Sequence, residues 1–374
     1  MKNIHEKYMR YALELAKKGV GAVNPNPLVG AVIVKDNRII GEGYHKKYGE
    51  LHAERNALAD CRNRGENPEG AVIYVTLEPC CHYGKTPPCT EAIIESGIKT
   101  VYIGSKDINP LVAGGGITVL KENGIKVIAG VLENECDSIN EVFFHYIKTK
   151  LPFVVMKYAM TMDGKIATYT GASKWITGEE ARYKVHEDRN RYSAIMTGVG
   201  TVIKDNPMLT CRIKNGNNPI RVICDTGLRT PLNANVVVTS KEIPTIIATC
   251  CKDKQKQQPY INAGCEVLTV REKSGDNANI VVDVADLIKK LGEKKIDSVL
   301  LEGGAAINWS ALSAGIVNKV QTYIAPKIFG GETAKCPVGG SGVKAVSEAF
   351  GLEIESVSRI DEDILIESIC RNND

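Results

Sequence analysis

The sequence lacks any apolar run long enough to cross a membrane. Hydrophobic residues make up 43% of its 374 positions, but none of its apolar stretches approaches the ~18 consecutive residues of a membrane span. Residues 1–19 carry charges throughout and contain no apolar segment typical of a secretory signal. We therefore expect neither a membrane partner nor a targeting leader.

The chain also lacks an excess of charge and any dense cluster of cysteines. A formal net charge of +3 excludes a strongly basic nucleic-acid surface, although a local basic patch stays open. The twelve cysteines are scattered without the spacing of a secreted disulfide scaffold. We expect a protein of the reducing cytoplasm with no nucleic-acid partner.

Helical and strand patterns alternate along the chain and divide it into two regions. Its length of 374 residues suggests two domains, each able to bury its own core. A polar break at 148–152 precedes a new apolar strand, so we place the domains at 1–147 and 148–374. Strands separated by helices predict a three-layer α/β/α arrangement in the first domain. Its last helix is predicted over 133–148.

The second region also alternates between strands and helices. An apolar run at 236–239 is predicted to be a strand, and the polar stretch 252–258 an exposed loop. The apolar run at 363–369 is predicted to form a terminal strand. These patterns predict a second α/β domain.

A histidine, a glutamate and two cysteines form the strongest functional pattern in the chain. His52-Ala-Glu54 is followed by a predicted strand, by Pro-Cys80 and then by Cys89. In zinc-dependent nucleobase deaminases a histidine and two cysteines hold Zn²⁺ while the glutamate moves protons. Three protein ligands leave the fourth coordination position open, as a catalytic zinc requires. We expect His52, Cys80 and Cys89 to bind Zn²⁺ and Glu54 to be the catalytic acid–base.

Other interpretations of this pattern stay open at this point. Free cysteines are common in protein cores, and a lone histidine is common at a surface. A structural zinc would need a fourth protein ligand, for which Cys81 or His82 is available. A non-enzymatic zinc-stabilised binding module would leave Glu54 unexplained. A free-base, nucleoside or tRNA deaminase with an accessory domain would use the same zinc residues.

The spacing of the two metal cysteines leads to a particular family. Eight residues separate them, where most cytidine and tRNA adenosine deaminases have two, and residues 84–89 read Gly-Lys-Thr-Pro-Pro-Cys. Together with Asn-Pro-Asn-Pro-Leu-Val-Gly at 24–30, this insert closely resembles the riboflavin-biosynthesis proteins with fused deaminase and reductase domains. Cys81 departs from the serine expected in that family. The resemblance implies that Lys85 contacts substrate.

The resemblance continues through the second half of the chain. Met-Asp-Gly-Lys at 162–165, Ser-Lys-Trp-Ile-Thr at 173–177, the run 197–210 and Leu-Glu-Gly-Gly-Ala at 301–305 look like the reductase domain of the same family. It implies a cytidine-deaminase-like N-terminal domain and a C-terminal domain similar in fold to dihydrofolate reductase, with NADPH as cofactor. Ile203 breaks the Gly-x-Gly-x-x-Gly pattern of ordinary dinucleotide-binding domains.

The same resemblance implies the residues of the reductase site. The implied cofactor contacts are Ala159, Trp175, Thr201, Asp205 and Gly304. The implied substrate contacts are Ser173, Arg189, Leu209, Arg212 and Glu302. The two arginines suit a ribose-phosphate end because a guanidinium binds phosphate with two parallel hydrogen bonds. Alternatively, Arg189 lies on a solvated helix face and Trp175 packs in the core.

The resemblance implies two consecutive reactions on small pyrimidine ribosylamine phosphates. The first is hydrolytic removal of the 2-amino group with release of ammonia. The second is NADPH-dependent reduction of the ribosyl chain to ribityl. The family also suggests a homo-oligomer, whereas nothing in the sequence identifies the proton donor of the second reaction or the residues that recognise the NADPH 2′-phosphate.

Overall fold

Two units of the chain, Met1–Lys150 and Leu151–Asp374, each have their own set of internal contacts. The computed structural model describes residues 2–84, 87–109, 112–275 and 279–371. The division between the units follows Lys150. The last helix of the first unit ends at Thr149, and its C-cap Lys150 has a positive φ of 60°. None of the helices formed by the described residues combines the length and the apolar character that a membrane crossing needs.

Helices cover both faces of a sheet in the first unit. Its described elements are α1 (Lys2–Lys17), β1 (Gly30–Lys35), β2 (Arg38–Tyr44), α2 (Ala53–Asn63), β3 (Val72–Leu77), α3 (Cys89–Glu95), β4 (Thr100–Ser105), α4 (Gly115–Glu122), β5 (Lys126–Ala129), α5 (Glu133–Ile139) and α6 (Glu141–Thr149). The sheet order is β2-β1-β3-β4-β5, with β3, β4 and β5 parallel.

Alternating side chains of β1 show how the three layers form. Ala31 and Ile33 lie in a core cluster with residues of α2 and α3. Val32 and Val34 point the other way, into a second cluster with residues of α1. Because successive side chains of a strand point to opposite faces, one apolar run fills both cores. This arrangement is the predicted α/β/α sandwich.

Helix α2 lies unusually close to β2, and two glycines make this possible. A side chain at Gly43 would overlap the backbone nitrogen of Ala57, and one at Gly41 would lie 2.7 Å from the Cβ of Cys61. The absence of Cβ atoms on the strand therefore sets the position of the helix. Glu54 lies in the first turn of this helix, so the same contact fixes its place.

The single helix predicted over 133–148 is wrong, because Asn140 divides it into α5 and α6. Asn140 is 2% exposed, and its side chain pairs with both backbone groups of Leu28, at 2.8 and 2.9 Å. Its backbone leaves the helical region at φ −109° and ψ 15°. The helix therefore breaks where a side-chain amide satisfies the polar backbone of another segment.

The second unit is built on a larger, mostly parallel sheet. Its described elements are β6 (Phe153–Thr161), α7 (Glu179–Arg191), β7 (Ala194–Gly198), α8 (Val199–Asp205), β8 (Ile220–Cys224), α9 (Asn235–Val238), β9 (Thr245–Thr249), α10 (Lys254–Ala263), β10 (Glu266–Thr269), β11 (Glu272–Ser274), β12 (Ile280–Val282), α11 (Val284–Glu293), β13 (Ser298–Leu301), α12 (Ala305–Ser313), β14 (Lys319–Ala325), a 3-10 turn (Val346–Glu348), β15 (Gly351–Ile360) and β16 (Asp363–Arg371).

The order of this sheet brings the ends of β7 and β13 together. The order is β10-β9-β8-β7-β13-β6-β14-β16-β15, and β13 is parallel to both β7 and β6. The chain runs outward from β7 on one side and from β6 on the other. Ligands of open α/β sheets bind at the carboxyl ends of strands where the order reverses in this way.

Two element predictions in this unit are wrong and one is confirmed. The run 236–239 lies mainly in α9 instead of a strand, since a short apolar run does not distinguish a helix from a strand by its pattern. The predicted loop 252–258 contains the start of α10, whose first N–H groups are capped by the Asp253 side chain. The terminal strand is confirmed as β16.

We predict that Gly43→Ala lowers the free energy of unfolding of the first unit by about 1–3 kcal/mol, because α2 must move away from β2. The measurement is urea denaturation followed by circular dichroism. Gly84→Ala is the matched control, since a Cβ there meets no atom within 4 Å. Equal midpoints for the two variants would contradict the close helix–strand contact.

Candidate active sites

Three elements of the first unit bring His52, Cys80 and Cys89 together. His52 is the N-cap of α2, Cys80 follows β3, and Cys89 is the first residue of α3. Their candidate ligand atoms lie within 4.8 Å of one another, and His52 Nδ1 is 3.5 Å from each sulfur. Tetrahedral Zn–S and Zn–N bonds of ~2.3 and ~2.0 Å separate N from S by about 3.5 Å. The geometry therefore fits one zinc ion.

Hydrogen bonds prepare these side chains to bind a metal. Hydrogen bonds from the Cys89 thiol and from His52 lower the pKa of Cys80 to about 4. The backbone N–H of Cys89, at the start of α3, also donates to Cys80 Sγ at 3.3 Å. The pairing with Cys80, together with burial, raises the pKa of Cys89. Metal binding must therefore displace a proton from Cys89.

Glu54 lies beside this group but is not part of it. It is 3% exposed, and burial raises the pKa of its carboxyl. It lines a cavity of about 320 Å³ together with His52 and Cys80. A carboxyl group with a raised pKa next to a metal site can both accept and return a proton near neutral pH.

Further polar residues line this cavity. They are Asn26, His45, His82, Asp107 and Asn109. Of these, the sequence pointed only to His82, as a possible fourth zinc ligand, and to Asn26, within the 24–30 motif. His45 Nδ1 lies 3.1 Å from the carbonyl of Leu51 and must donate to it, so Nε2 can accept from Asn26 at 3.2 Å. Burial lowers the pKa of His45 and raises that of Asp107 to about 6. The sequence feature that could have identified Asp107 and Asn109 is the Asp-x-Asn sequence shortly after β4, because β4 is parallel to β3.

The structure separates Cys81 from the metal group. Its sulfur lies 2.9 Å from where a Cβ of Gly115 would be, at the start of α4. Among the described residues, the group that could hold a metal contains His52, Cys80 and Cys89 but not Cys81. Three protein ligands leave a coordination position open. The expected contact Lys85 lies outside the described residues.

In the second unit, two glycine segments meet at the ends of β7 and β13. The Thr197 hydroxyl and the Gly198 N–H both donate to the carbonyl of Gly303, at 2.7 and 3.2 Å. Gly304 has a φ of +52°, and a Cβ there would lie 3.3 Å from Thr201 Oγ1. Helices α8 and α12 start at this point. Glycine-lined helix starts fit the phosphates of a dinucleotide.

Glu302, which directly precedes Gly303, forms a buried ion pair with Arg189. Arg189 Nε and Nη2 donate to the two carboxylate oxygens of Glu302 at 2.6 and 2.7 Å, and Nη1 donates to the carbonyl of Thr210 at 2.9 Å. The Arg189 side chain is only 14% exposed, so the solvated-face alternative is wrong. Burial alone would raise the pKa of Glu302, but the charge and hydrogen bonds of Arg189 lower it.

Lys157 is a residue of this site that the sequence did not single out by itself. It lies on β6, and its charge interacts with those of Glu302 and Arg189. Its ammonium group is 5.4 Å from the centre of the Tyr323 ring, and burial lowers its pKa. The sequence feature that could have identified Lys157 is its position: it directly follows the apolar run Phe-Val-Val-Met within a central strand.

The remaining residues expected at the reductase site differ in how far their side chains are exposed to solvent. Trp175 is 62% exposed and lies 4.5 Å from the Arg182 guanidinium, so the core-packing alternative is wrong. Leu209 is 4% exposed with its side chain in a core cluster, so a ligand would meet its backbone. Those that are partly or fully exposed are Ala159, Ser173, Asp205 and Arg212.

Comparisons with known proteins match both units of the chain. A family profile for the cytidine and deoxycytidylate deaminase zinc-binding region matches residues 2–105, and one for the RibD C-terminal domain matches residues 152–366. The chain is 54% identical over 362 residues to the riboflavin biosynthesis protein RibD of Actinobacillus pleuropneumoniae, which covers 97% of this chain and 94% of that protein. It is 34% identical to RibD of Escherichia coli over 96% of this chain and 98% of that protein.

A solved structure extends this similarity to the whole fold. The crystal structure of a diaminohydroxyphosphoribosylaminopyrimidine deaminase/5-amino-6-(5-phosphoribosylamino)uracil reductase from Thermotoga maritima is 42% identical, with a TM-score of 0.86 over 99% of each chain. The matches confirm a cytidine-deaminase-like unit followed by a reductase unit similar to dihydrofolate reductase. The chain therefore belongs to the RibD family of riboflavin biosynthesis proteins, with a zinc-binding deaminase domain and a reductase domain.

Proposed function

We propose that the first unit hydrolyses the 2-amino group from 2,5-diamino-6-ribosylamino-4(3H)-pyrimidinone 5′-phosphate. The second unit then reduces the ribosyl chain with NADPH to give 5-amino-6-ribitylaminouracil 5′-phosphate. The observation that carries this proposal is the His52–Cys80–Cys89 group with Glu54 in one cavity. The Thermotoga maritima relative, whose name includes both activities, supports it over nearly the full length.

The residues of the first unit account for the proton movements of deamination. When bound by His52, Cys80 and Cys89, zinc would lower the pKa of a water molecule so that hydroxide is available to attack the ring carbon. Glu54 takes a proton from that water, delivers it to a ring nitrogen and then helps to protonate the departing amine. Burial raises the pKa of its carboxyl, which suits both transfers. The product gains a carbonyl oxygen, and the amino group leaves as ammonia.

The residues of the second unit mainly orient the reactants. NADPH would supply the hydride, with Thr201 and Gly304 near its phosphates and Ala159, Trp175 and Asp205 as further contacts. The guanidinium group of Arg189 is occupied by Glu302 and by the carbonyl of Thr210. Arg189 therefore holds in place the substrate segment, by which we mean residues 209–212. The exposed Arg212 is then the better phosphate contact. Ser173, Leu209 and Glu302 complete the proposed substrate site.

Two alternatives to this proposal make different predictions. A nucleoside or tRNA deaminase with an accessory domain would release ammonia from a different substrate and leave NADPH unchanged. A zinc-stabilised binding module would hold its metal with four protein ligands and catalyse neither step. A cytoplasmic location, which the scattered cysteines favour, and a homo-oligomeric state, which the family resemblance suggests, are part of the proposal.

The direct test is an anaerobic assay on the pyrimidine phosphate that follows ammonia release and NADPH oxidation separately. The proposal predicts one ammonia per substrate, and NADPH oxidation that requires the deaminated product. Ammonia release without NADPH oxidation would overturn the assignment of the second unit. If zinc-loaded protein released no ammonia, the assignment of the first unit would be wrong, and absence of NADPH oxidation with the deaminated intermediate supplied directly would overturn that of the second.

We predict that Glu54→Gln lowers deamination about 10²- to 10⁴-fold, because the amide cannot carry a proton between water and ring. Zinc content, measured by mass spectrometry, should stay at one ion per chain, since Glu54 is outside the ligand group. The internal control is NADPH-dependent reduction of the deaminated intermediate, supplied directly, and its rate should be unchanged. A variant that lost zinc but kept its turnover would contradict the division of roles.

We predict that Arg189→Lys lowers kcat/KM of the reduction at least about tenfold, because an ammonium cannot bind Glu302 with two parallel bonds and also hold Thr210. Ammonia release should be unchanged. Arg191→Lys on the same helix is the matched control, with its guanidinium 5.5 Å from the Tyr192 ring. Similar reductase activity in both variants would show that the ion pair does not position the substrate segment.

A further inference from the structure

Glu78 is a buried carboxylate that deamination, as described above, does not use. It follows β3 directly and is separated from Cys80 by one proline. Its side chain is 3% exposed and accepts three backbone N–H groups, from Asp107 at 3.3 Å, Gly114 at 3.2 Å and Ile117 at 3.1 Å. Buried carboxylates need such donors, because an unpaired charge in the interior is costly.

One of the three donors belongs to the wall of the deaminase cavity. Asp107 itself lines that cavity, and Gly114 and Ile117 lie at the start of α4. The backbone N–H of Glu78 also donates to the carbonyl of Ser105, the last residue of β4, at 3.0 Å. One residue therefore links the strand that carries Cys80 to the segments that carry the polar cavity wall.

Gly116 is independent evidence that α4 packs closely against Pro79 and Glu78. A side chain there would overlap the carbonyl oxygen of Pro79, and its Cβ would lie 3.3 Å from the Glu78 carboxylate. The helix start can therefore reach the carboxylate only because position 116 has no Cβ. Two separate features, an acceptor and a glycine, thus maintain the same contact.

We propose that Glu78 is a positioning residue for deamination. It holds Asp107 and the start of α4 so that the polar wall of the cavity faces the pyrimidine ring of the substrate beside Glu54. The inference rests on the proposed deaminase function of this cavity. Glu78 also lines the cavity, but both of its carboxylate oxygens already accept backbone N–H groups. Its effect reaches the reaction through Asp107 and Asn109, which line the cavity.

The carboxylate form is what the contact requires. Both oxygens accept, with Asp107 and Gly114 on Oε2 and Ile117 on Oε1. A glutamine has one oxygen, so its amide N–H groups would face at least one backbone N–H group. The lost acceptor and the new donor–donor contact should displace the wall by local rearrangement. His52, Cys80 and Cys89 keep their own supporting contacts.

The test is Glu78→Gln in the full-length zinc-loaded chain, with both activities and the zinc content measured on one preparation. We expect kcat/KM of deamination to fall about tenfold or more, mainly through KM, because about 1.4 kcal/mol of lost positioning is a factor of ten. One zinc per chain and NADPH oxidation should be unchanged. Glu122→Gln, an exposed carboxylate at the end of α4, is the matched control.

A second variant tests the same contact from the other side. Gly116→Ala should also raise KM for deamination with zinc retained, since its methyl group would push α4 from Pro79. Unchanged KM in both variants would overturn the proposal. Loss of zinc or of NADPH oxidation in Glu78→Gln would also overturn it, because Glu78 would then support the metal or the fold. If the unmodified chain releases no ammonia, the proposed function itself fails.

Discussion

The placement of one imidazole and two sulfur atoms within 4.8 Å is the constraint on which the first unit depends. No single element supplies them. The atoms come from the starts of α2 and α3 and from the end of β3, so the site exists only when a helix–strand–helix unit is packed. Glycines of β2 bring α2 close enough, and the N–H at the start of α3 supports the Cys80 thiolate. The position of Glu54 follows from the same helix.

The second unit meets a different physical requirement. Hydride transfer needs orientation more than proton chemistry, and its conspicuous features hold backbone and charge in place. Gly303 and Gly304 adopt positive φ angles where the ends of β7 and β13 meet, while Arg189 pairs with Glu302 and holds the carbonyl of Thr210. Under the proposed function the two units place opposite demands on their buried carboxyl groups: Glu54 exchanges a proton, whereas Glu302 stays paired with Arg189.

Local patterns predicted the chemistry better than they predicted its surroundings. His52, Glu54, Cys80 and Cys89 were identifiable because zinc chemistry fixes their types and spacing. The pairing of Arg189 with Glu302 spans 113 positions and leaves no local pattern. Asn140 looks like an ordinary polar helix residue until its partner Leu28 is known. The run 236–239 was misassigned because an apolar run of this length has no periodicity that separates a helix from a strand.

The central claim is that the zinc has three protein ligands and one open position. X-ray absorption at the zinc edge of the loaded chain measures this directly. The account predicts two sulfur neighbours at ~2.3 Å and two lighter nitrogen or oxygen neighbours at ~2.0 Å, one of them an imidazole nitrogen. Three sulfur neighbours would show that Cys81 joins the metal. That result would close the site and contradict a catalytic zinc.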